Sequence, residues 1–503
     1  MEAHSRNKII GSVNWNFINI ATQTILNFGV GVFLARILLP RDFGLFGLTI
    51  ILLGILNLLF TSSISRFVIQ KKNLDEEDIG TSIWISIVLS LFAYLIVWFI
   101  SPLIATFFDE IILTDLIKIY TLSIFFFSVS SILRGLLIKK LDFKSIFYSD
   151  TISLLFGYSA VSIILAINNY GVISLIYGSL AKELLSLITI YLFGRMKVSF
   201  KVKLNKIKNI VYYSGGIGLS NIFGYTANNA DYVIIGKLLN SSALGLYTRA
   251  FNIMTLPLSK ISMTLFEVIF SVFSNIQNDL ERIKNIYLKT VKVIVLISFP
   301  ILSTMIIGSE LIINGIYGQK WSGAIKVLQI LCFAGFFRVI TNSAGAVAKA
   351  TGRVYAETWR QFIYALILII GALVGVIFGI EGVGFAVVLS SIWLYLSMSH
   401  LSLQIVKMSW LDFMKAHIPG IFVLILITMI NFITLSLMNY FLSHENYILK
   451  LLILLIVSSS MTLTLWKVLP VKIIGEEGRE LLSTYFEKVK SLFRKNINYD
   501  ESN

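Results

Sequence analysis

The chain has 503 residues, of which 56% are hydrophobic and only 14% are charged, and its mean hydropathy is +0.83. A soluble domain cannot bury so large an apolar fraction, so the composition predicts a membrane protein with many spans. The net charge of +15 would suit nucleic acid, but in a membrane protein it indicates basic cytoplasmic loops. A single cysteine, Cys332, excludes a disulfide framework and a cysteine-based metal site.

Apolar runs of spanning length recur along the chain. Each has roughly 20 residues or more, which favours helices over the shorter alternating strands of a barrel. We therefore expect an all-α polytopic membrane protein with about fourteen transmembrane helices. The predicted spans lie near 11–39, 42–64, 80–101, 116–138, 146–167, 172–193, 210–239, 243–272, 291–309, 323–348, 358–379, 383–404, 418–441 and 448–469.

The loops between these spans alternate in positive charge. Lysine and arginine concentrate in loops near 6–8, 71–72, 139–144, 195–208, 282–289, 349–353 and 407–415, whereas the loops near 107–115, 167–171, 379–382 and 443–447 are short and poor in positive charge. The positive-inside rule makes the basic loops cytoplasmic. An even number of spans then places both termini in the cytoplasm, with the first helix as the targeting signal.

A stretch near the N-terminus recurs in the middle of the chain. Residues 31–47, GVFLARILLPRDFGLFG, align without a gap on residues 232–248, YVIIGKLLNSSALGLYT, so that Gly44 corresponds to Gly245. A second echo at nearly the same offset matches Gly171 to Gly382. This pattern predicts an internal duplication, as in many transporters.

The duplication predicts five segments of the chain. Two lobes of six helices each are followed by two extra helices and a tail, which reads as an amphipathic helix on the inner leaflet or, equally well, as a solvated tail. The expected bounds are 1–194 for the N-terminal lobe, 195–209 for a basic cytoplasmic linker, 210–406 for the C-terminal lobe, 407–469 for the two extra helices and 470–503 for the tail.

Catalytic signatures are missing from the sequence. There is no G-x-x-x-x-G-K-S/T run for nucleotide hydrolysis, and His444-Glu445 is not followed by the second histidine of a zinc protease motif. No predicted loop is large enough for a catalytic domain. We therefore expect a protein that is not an enzyme and that needs no cofactor or metal.

Polar residues form a stripe along the first predicted helix of each half. The spacings of 3 to 4 residues place each set on one helix face. Amides are costly in hydrocarbon, so both stripes should face protein or water. Two stripes at matching positions favour a hydrated cavity between the halves, and the alternative is that they join helices by hydrogen bonds. The residues are Asn16, Asn19, Gln23 and Asn27 in the first stripe and Asn221, Tyr225, Asn228 and Tyr232 in the second.

Basic residues within the spans are the candidate substrate-binding groups. Arg134 in the fourth predicted helix and Arg338 in the tenth occupy comparable places in the two halves, and Arg249 lies in the eighth. A guanidinium group binds phosphate through a planar fork, so these arginines suit an anionic, phosphate-bearing substrate. The alternatives are snorkelling to the interface or pairing with a carboxylate such as Asp231. Snorkelling or pairing is the preferred interpretation for Arg36, Arg66 and Lys237.

Four stretches of the sequence carry a resemblance to a known family. They are ILNFGVGVFLARILLPRDFGLFGL (25–48), VIQKKNLDEEDIGTSIW (68–84), DYVIIGKLLNSSALGLYTRA (231–250) and YGQKWSGAIKVLQILCFAGFFR (317–338). These stretches resemble the Wzx-type polysaccharide exporters, in the branch that contains WzxC and TuaB. This group belongs to the multidrug/oligosaccharidyl-lipid/polysaccharide exporter superfamily, together with MurJ and the MATE transporters. The likeness extends roughly to the end of the twelfth predicted helix.

The resemblance implies a flippase with two six-helix lobes around a central cavity that opens alternately to each side. The implied cargo is an oligosaccharide on undecaprenyl pyrophosphate, moved across the bacterial cytoplasmic membrane for O-antigen, capsule or exopolysaccharide. The implied partners are the polysaccharide polymerase and chain-length machinery. The alternatives are a multidrug exporter of the same fold, a flippase for a lipid-linked peptidoglycan precursor and, least favoured, a glycan polymerase or ligase.

Overall fold

The computed structural model of the protein describes residues 2–60, 62–195, 201–203, 207, 225, 229–442 and 446–468. These residues form helices joined by short turns, and none of them lies in a β-strand. The predicted all-α fold is therefore confirmed for this part of the chain. The structure divides into two compact units, Met1–Gly245 and Leu246–Asn503. The predicted tail at 470–503 lies outside the described residues, and only 195, 201–203 and 207 of the linker lie within them.

The first unit contains nine helices among its described residues, and the chain is helical again over 229–238. Their starts follow local signals, since Pro40 opens α2 and the Asp75 side chain accepts a hydrogen bond from the Asp78 backbone N–H at the start of α4. A π-helical segment, Ser153–Ser159, joins α7 to α8. The bounds are α1 Glu2–Ile37, α2 Pro40–Phe60, α3 Ser62–Gln70, α4 Glu76–Phe107, α5 Leu113–Thr121, α6 Ser123–Lys139, α7 Phe143–Ile152, α8 Ala160–Ile167 and α9 Val172–Gly194.

Nine further helices follow, the first of which starts at the end of the first unit. A π-helical turn, Ile313–Tyr317, and 3-10 turns at Gln319–Trp321 and Val376–Phe378 join some of them. The bounds are α10 Ser241–Asn275, α11 Leu280–Ile307, α12 Ser309–Ile312, α13 Ala324–Ala350, α14 Val354–Gly375, α15 Gly379–Ile405, α16 Trp410–Lys415, α17 Ile418–Phe441 and α18 Tyr447–Val468.

Eleven segments of the described chain are long and apolar enough to cross a membrane. One of them, Val354–Ile405, is 52 residues long and comprises α14 and α15, which fold back on each other. A Cβ atom added to Gly382 would lie 2.0 Å from the Gly375 carbonyl oxygen, which shows how closely the two helices approach. Helix α10 covers the predicted span at 243–272 but is not among these eleven segments. The predicted span at 210–239 is described only at 225 and from 229 onward, so the count of fourteen stays a prediction.

The helices of the first unit bury small polar side chains and expose large apolar ones. On α4, Ser82, Ser86 and Ser90 are buried, whereas Phe92 and Phe99 are more than half exposed. In water this arrangement would be unfavourable, but in a bilayer the lipid chains cover the apolar face. Small residues in turn allow close helix contact inside the protein.

The predicted cytoplasmic loops of the first unit come together at one end of its helices. The Lys71 ammonium lies 2.5 Å from the buried carboxylate of Asp78, and Lys139 donates to the Lys71 carbonyl oxygen. Lys203 lies 3.0 Å from Glu77. The acidic start of α4 thus pairs with Lys71 and Lys203, which are far apart in sequence, and Lys139 joins them through the Lys71 backbone. The carboxylates also interact favourably with the dipole at the N-terminus of α4.

Replacing Asp78 by alanine is expected to destabilise the first unit. The substitution removes the acceptor of the Lys71 ammonium and of the Asp75 backbone N–H, which is 3.1 Å away. Hydrogen bonds to charged groups contribute about 1.5–3 kcal/mol. We therefore expect a lower thermal midpoint for the purified protein in detergent. The matched control is Glu281→Ala, which removes an exposed acidic residue from the first turn of α11. Equal midpoints for both variants would contradict this role of Asp78.

Candidate functional site

A polar cavity of about 310 Å³ lies inside the first unit, among α3, α6, α7 and α9. On α6 the lining positions 127, 130, 131 and 134 are spaced by three and four residues, so they share one helix face. The π-helical segment begins at a further lining residue, Ser153. The full lining is Ser65, Arg66, Phe127, Ser130, Ser131, Arg134, Asp150, Ser153, Lys182, Glu183 and Ser186.

The apolar faces of the same helices hold the cavity walls together. Buried residues of α3, α4, α6, α7 and α9 form one hydrophobic cluster, which includes Val68, Ile132 and Ile190. Two hydrogen bonds join the walls directly, since the Ser65 hydroxyl donates to the Ser131 carbonyl oxygen at 2.7 Å and the Ser149 and Thr189 hydroxyls are 2.8 Å apart. The lining side chains are therefore carried by rigid, packed elements.

Arg134 and Asp150 form the central ion pair of the cavity. Both guanidinium ends contact the carboxylate, Nη1 with Oδ2 at 3.0 Å and Nη2 with Oδ1. The Asn19 amide of α1 donates to the same Oδ2 at 2.9 Å. The Arg134 side chain keeps 33% of its surface exposed against 15% for Asp150. A guanidinium carries five N–H donors in a fixed fork, so Arg134 retains donors for an anionic ligand.

Three more charged residues line the cavity. Lys182 lies 3.5 Å from Glu183 on α9. Arg66 on α3 makes no hydrogen bond or ion pair with any residue that the structure describes. The cavity lining has a formal net charge of +1. Its three positive residues are Arg66, Arg134 and Lys182, and its two negative residues are Asp150 and Glu183. An anion therefore improves the charge balance of the cavity.

The first predicted stripe contacts α7, a neighbour of the cavity. Asn19 bonds to Asp150, and the Gln23 amide reaches the Thr151 hydroxyl at 3.5 Å. Asn27 is exposed and donates to the Gln23 carbonyl oxygen of its own helix, and Asn16 is half-buried. None of the four is among the lining residues. Asn19 and Gln23 thus make the helix-joining contacts that the sequence left as the alternative.

Only part of the second stripe can be located. Asn221 and Asn228 lie outside the described residues. The Tyr225 hydroxyl packs on Gly54 of α2, where an added Cβ would lie 2.1 Å away. The Asn229 amide donates to the Tyr225 carbonyl oxygen at 2.7 Å.

The two other candidate arginines lie in the second unit, each beside an aromatic ring. The Arg338 guanidinium carbon is 5.1 Å from the Phe251 ring centroid, and that of Arg249 is 5.8 Å from the Tyr317 centroid. These distances are typical of cation–π contacts. Burial raises the pKa of the Tyr317 phenol, and the nearby positive charge of Arg249 lowers it in part.

The sequence pointed to Arg134 but not to its surroundings. The partner carboxylate is Asp150, whereas the sequence offered Asp231 as an example. Snorkelling or pairing is the sequence-based interpretation of Arg66, and the sequence pattern does not single out Lys182 or Glu183 as site residues. One sequence signal could have found these residues. Ser65-Arg66 and Lys182-Glu183 are adjacent polar residues within apolar helices. Burying such residues in a membrane costs free energy unless they face a cavity. Within the described ranges, no cluster of three His, Cys, Asp or Glu side chains could hold a metal.

Two apolar cavities lie in the second unit. One of about 760 Å³ is lined by aromatic residues that include Phe299, Phe336 and Tyr395, with Lys415 at its edge. The other, of about 440 Å³, lies between α11 and α18. Their linings are mostly hydrocarbon, so they suit apolar groups rather than an anion.

Comparisons with known proteins identify the family of the chain. The lipopolysaccharide biosynthesis protein WzxC of Escherichia coli (strain K12) is 24% identical over 376 residues, 73% of this chain and 75% of WzxC. An uncharacterized membrane protein in the cps region of Klebsiella pneumoniae is 27% identical over 365 residues, 72% of this chain and 75% of that protein.

The solved lipid II flippase MurJ, in its inward closed conformation, shares the fold with a TM-score of 0.72 at 18% identity, covering 90% of this chain and 99% of MurJ. The model of the family Polysacc_synt_3 matches residues 33–326, more than half of the sequence. The chain therefore belongs to this family of polysaccharide biosynthesis proteins.

Proposed function

We propose that the protein is a flippase that moves undecaprenyl-pyrophosphate-linked oligosaccharide units across the bacterial cytoplasmic membrane for a surface polysaccharide. The observation that carries this function is a net-positive cavity inside apolar helices of a chain from a polysaccharide biosynthesis family. Charged groups are rare in membrane helices and mark substrate pathways. The protein acts as a transporter and not as an enzyme.

The cavity residues divide the recognition of the cargo between charge and hydrogen bonding. Arg66 and Arg134 hold the pyrophosphate, because guanidinium groups bind phosphate oxygens through two parallel hydrogen bonds. The serine hydroxyls bind the first sugar. At about 30 Å³ per water, the cavity corresponds to about ten waters, which is room for a pyrophosphate and part of a sugar.

Transport then follows alternating access. The head group enters the cavity from the cytoplasm while the lipid tail stays in the bilayer, and rocking of the two predicted lobes exposes the head group outside. Without a nucleotide-binding motif in the sequence, the drive is an ion gradient, the membrane potential or downstream consumption of the product. Arg338 and Arg249 supply further positive charge from the second predicted lobe.

The relatives and the basic loops support the cargo and the location. WzxC is named for lipopolysaccharide biosynthesis, and the Klebsiella relative is named for the cps region. The match to this chain covers 75% of each of the two relatives. The alternation of basic loops in the sequence supports a cytoplasmic location for both termini. The polymerase and the chain-length machinery are the expected partners, because they use the exported units.

Deletion of the gene is expected to abolish the surface polysaccharide and to accumulate its lipid-linked units. Blocked export leaves these units on the inner leaflet, so both should be measured in the same cells, the polymer by immunoblot and the units by lipid extraction. A wild-type copy should restore the polymer. A copy with Arg282→Ala should do the same, because Arg282 is an exposed arginine outside the cavity.

Other outcomes of the deletion would support the alternatives. Intact polymer together with sensitivity to cationic drugs would indicate a multidrug exporter. Accumulation of lipid-linked peptidoglycan precursor with cell lysis would indicate a flippase for that precursor. Lipid-linked units that reach the outer leaflet but stay unpolymerised would indicate a polymerase.

A further inference from the structure

An arginine without a carboxylate partner lies on the α14–α15 hairpin of the second unit. The Arg360 guanidinium donates through Nε to the Ser397 carbonyl oxygen of α15 at 3.0 Å and through Nη1 to the Ala356 carbonyl oxygen of its own helix at 2.8 Å. A guanidinium carries five N–H donors, so three remain for another acceptor. In the part of the chain that the structure describes, no carboxylate forms an ion pair with Arg360. Its positive charge is therefore open to an anionic ligand.

The Arg360 side chain points back towards the basic end of the hairpin. Ala356 lies one helical turn before Arg360, so the bond to its carbonyl oxygen directs the guanidinium towards the start of α14. The 22 residues of α14 span about 33 Å, close to the 30 Å of hydrocarbon in a bilayer. The guanidinium thus lies near the boundary between hydrocarbon and head groups, on the side that the loop charges assign to the cytoplasm.

Aromatic side chains mark the same level on the surface of α14. Tyr355, Trp359 and Phe362 are spaced by four and three residues, so they share one helix face, and each is at least half exposed. The rings of Trp359 and Phe362 stack with their centroids 5.4 Å apart. Tyrosine and tryptophan are enriched where the head groups meet the hydrocarbon. This face of α14 therefore faces lipid, with its aromatic end at the head groups.

The neighbouring flank of α15 carries further polar side chains. Ser397, His400 and Gln404 are spaced by three and four residues, so they lie on one flank of that helix. His400 and Gln404 are exposed, and their Nε2 atoms are 3.0 Å apart. The His400 ring stacks on Trp410 of α16, with the centroids 6.3 Å apart. Arg360, His400 and Gln404 form what we call the interfacial patch.

The charges around the interfacial patch favour an anion over a zwitterion. Residues 349–360 and 400–415 together contain five basic and two acidic side chains. Both acidic side chains already lie beside a lysine, Glu357 at 3.3 Å and Asp412 at 3.2 Å. A lipid phosphate therefore meets an excess of positive charge, whereas the ammonium group of a zwitterionic lipid is repelled by it.

We propose that the interfacial patch binds the phosphate of an anionic phospholipid of the inner leaflet, whose acyl chain lies along the exposed aromatic face of α14. Arg360 holds the phosphate through its fork of N–H donors. His400 and Gln404 donate hydrogen bonds to the head group, and Trp359 packs against the start of the chain. This lipid is a ligand besides the exported cargo. The inference does not rest on the proposed function, because its test measures lipid binding to the purified protein.

Native mass spectrometry of the delipidated protein in detergent tests the site with phosphatidylglycerol and phosphatidylethanolamine as probes. We expect Arg360→Gln to weaken the binding of phosphatidylglycerol about tenfold, a shift of about 1.4 kcal/mol, and to leave the binding of phosphatidylethanolamine unchanged. Arg360→Lys keeps the charge without the fork, so its affinity should be intermediate. Arg353→Gln is the matched control, because Arg353 is an exposed arginine on the turn before α14. Equal losses for Arg360→Gln and Arg353→Gln, or equal affinities of the wild type for both lipids, would overturn the site.

A second measurement needs no variant. A photoactivatable phosphatidylglycerol, added to the wild-type protein, should crosslink to peptides that contain residues 355–362 or 397–404. An excess of inorganic phosphate should leave this crosslink in place, because phosphate lacks the acyl chain that packs on α14. Crosslinks confined to other helices would contradict the proposal. Loss of the crosslink with inorganic phosphate would show a site for a free anion and would contradict it as well.

Discussion

Replacing Arg134 by alanine is expected to reduce export of the lipid-linked units about 100-fold while the protein still inserts. The guanidinium is the best-placed phosphate donor of the cavity, because Asp150 and Asn19 fix its position and a third of its side chain stays accessible. Loss of a pair of charge-assisted hydrogen bonds costs about 3 kcal/mol, or about two powers of ten in affinity. Arg134→Lys keeps the charge but not the fork, so we expect it to export at an intermediate level. The measurement is surface polymer per inserted protein in the deletion strain.

A second substitution separates binding from folding. Arg134→Ala leaves the Asp150 carboxylate without its cation in a site that is only 15% exposed, which by itself can destabilise the unit. Asp150→Asn removes that unpaired charge. If Arg134 binds the cargo, the double variant should regain thermal stability and remain defective in export. Recovery of export in the double variant would show that Arg134 serves only as the counter-ion of Asp150.

The placement of Arg134 shows what the sequence could reveal about the site. A lone arginine in an apolar run must face something polar, and it does. Its partner Asp150 follows only 16 residues later, on the next helix, so a search of adjacent helices would have suggested it. The approach of Arg66 and Lys182 to the same cavity depends on how α3 and α9 pack on α6. That packing is set by buried apolar contacts, which carry no pairwise signal in one sequence.

The internal repeat was also only partly interpretable from the sequence. The ungapped match of Gly44 to Gly245 predicts related structures for the two copies. It does not predict that the copies touch, as they do where a Cβ atom added to Gly44 would lie 1.7 Å from the Ser241 carbonyl oxygen. In a sequence, a glycine that permits close contact looks the same as one that permits a turn. The polar stripes allow two interpretations from the sequence, a hydrated cavity and contacts that join helices. Asn19 and Gln23 make contacts of the second kind with α7, because an amide can form hydrogen bonds with a neighbouring helix as well as with water.

Gly157→Leu is expected to disrupt the cavity and to lower the stability of the first unit by about 3 kcal/mol or more, at the upper end of the cost of overpacking. Gly157 lies in the π-helical segment, where an added Cβ would be 2.6 Å from the Lys182 Cα and 2.8 Å from its backbone nitrogen. The clash is with the backbone of α9, so the helix itself must move and must carry Lys182 and Glu183 out of the cavity wall. We therefore expect a lower thermal midpoint in detergent and loss of export at the same time.

A graded series gives this prediction its control. Gly157→Ala introduces the same first clash with less bulk, so its midpoint and export should fall between those of the wild type and of Gly157→Leu. Gly29→Leu adds the same side chain to α1, where a Cβ meets nothing within 4 Å, and should leave both measurements unchanged. If Gly157→Leu matches Gly29→Leu in midpoint and export, α9 does not depend on this contact. If the midpoint falls but export per inserted protein is retained, the α9 wall of the cavity does not contribute to cargo binding, and Arg66 and Arg134 must recognise the head group without Lys182.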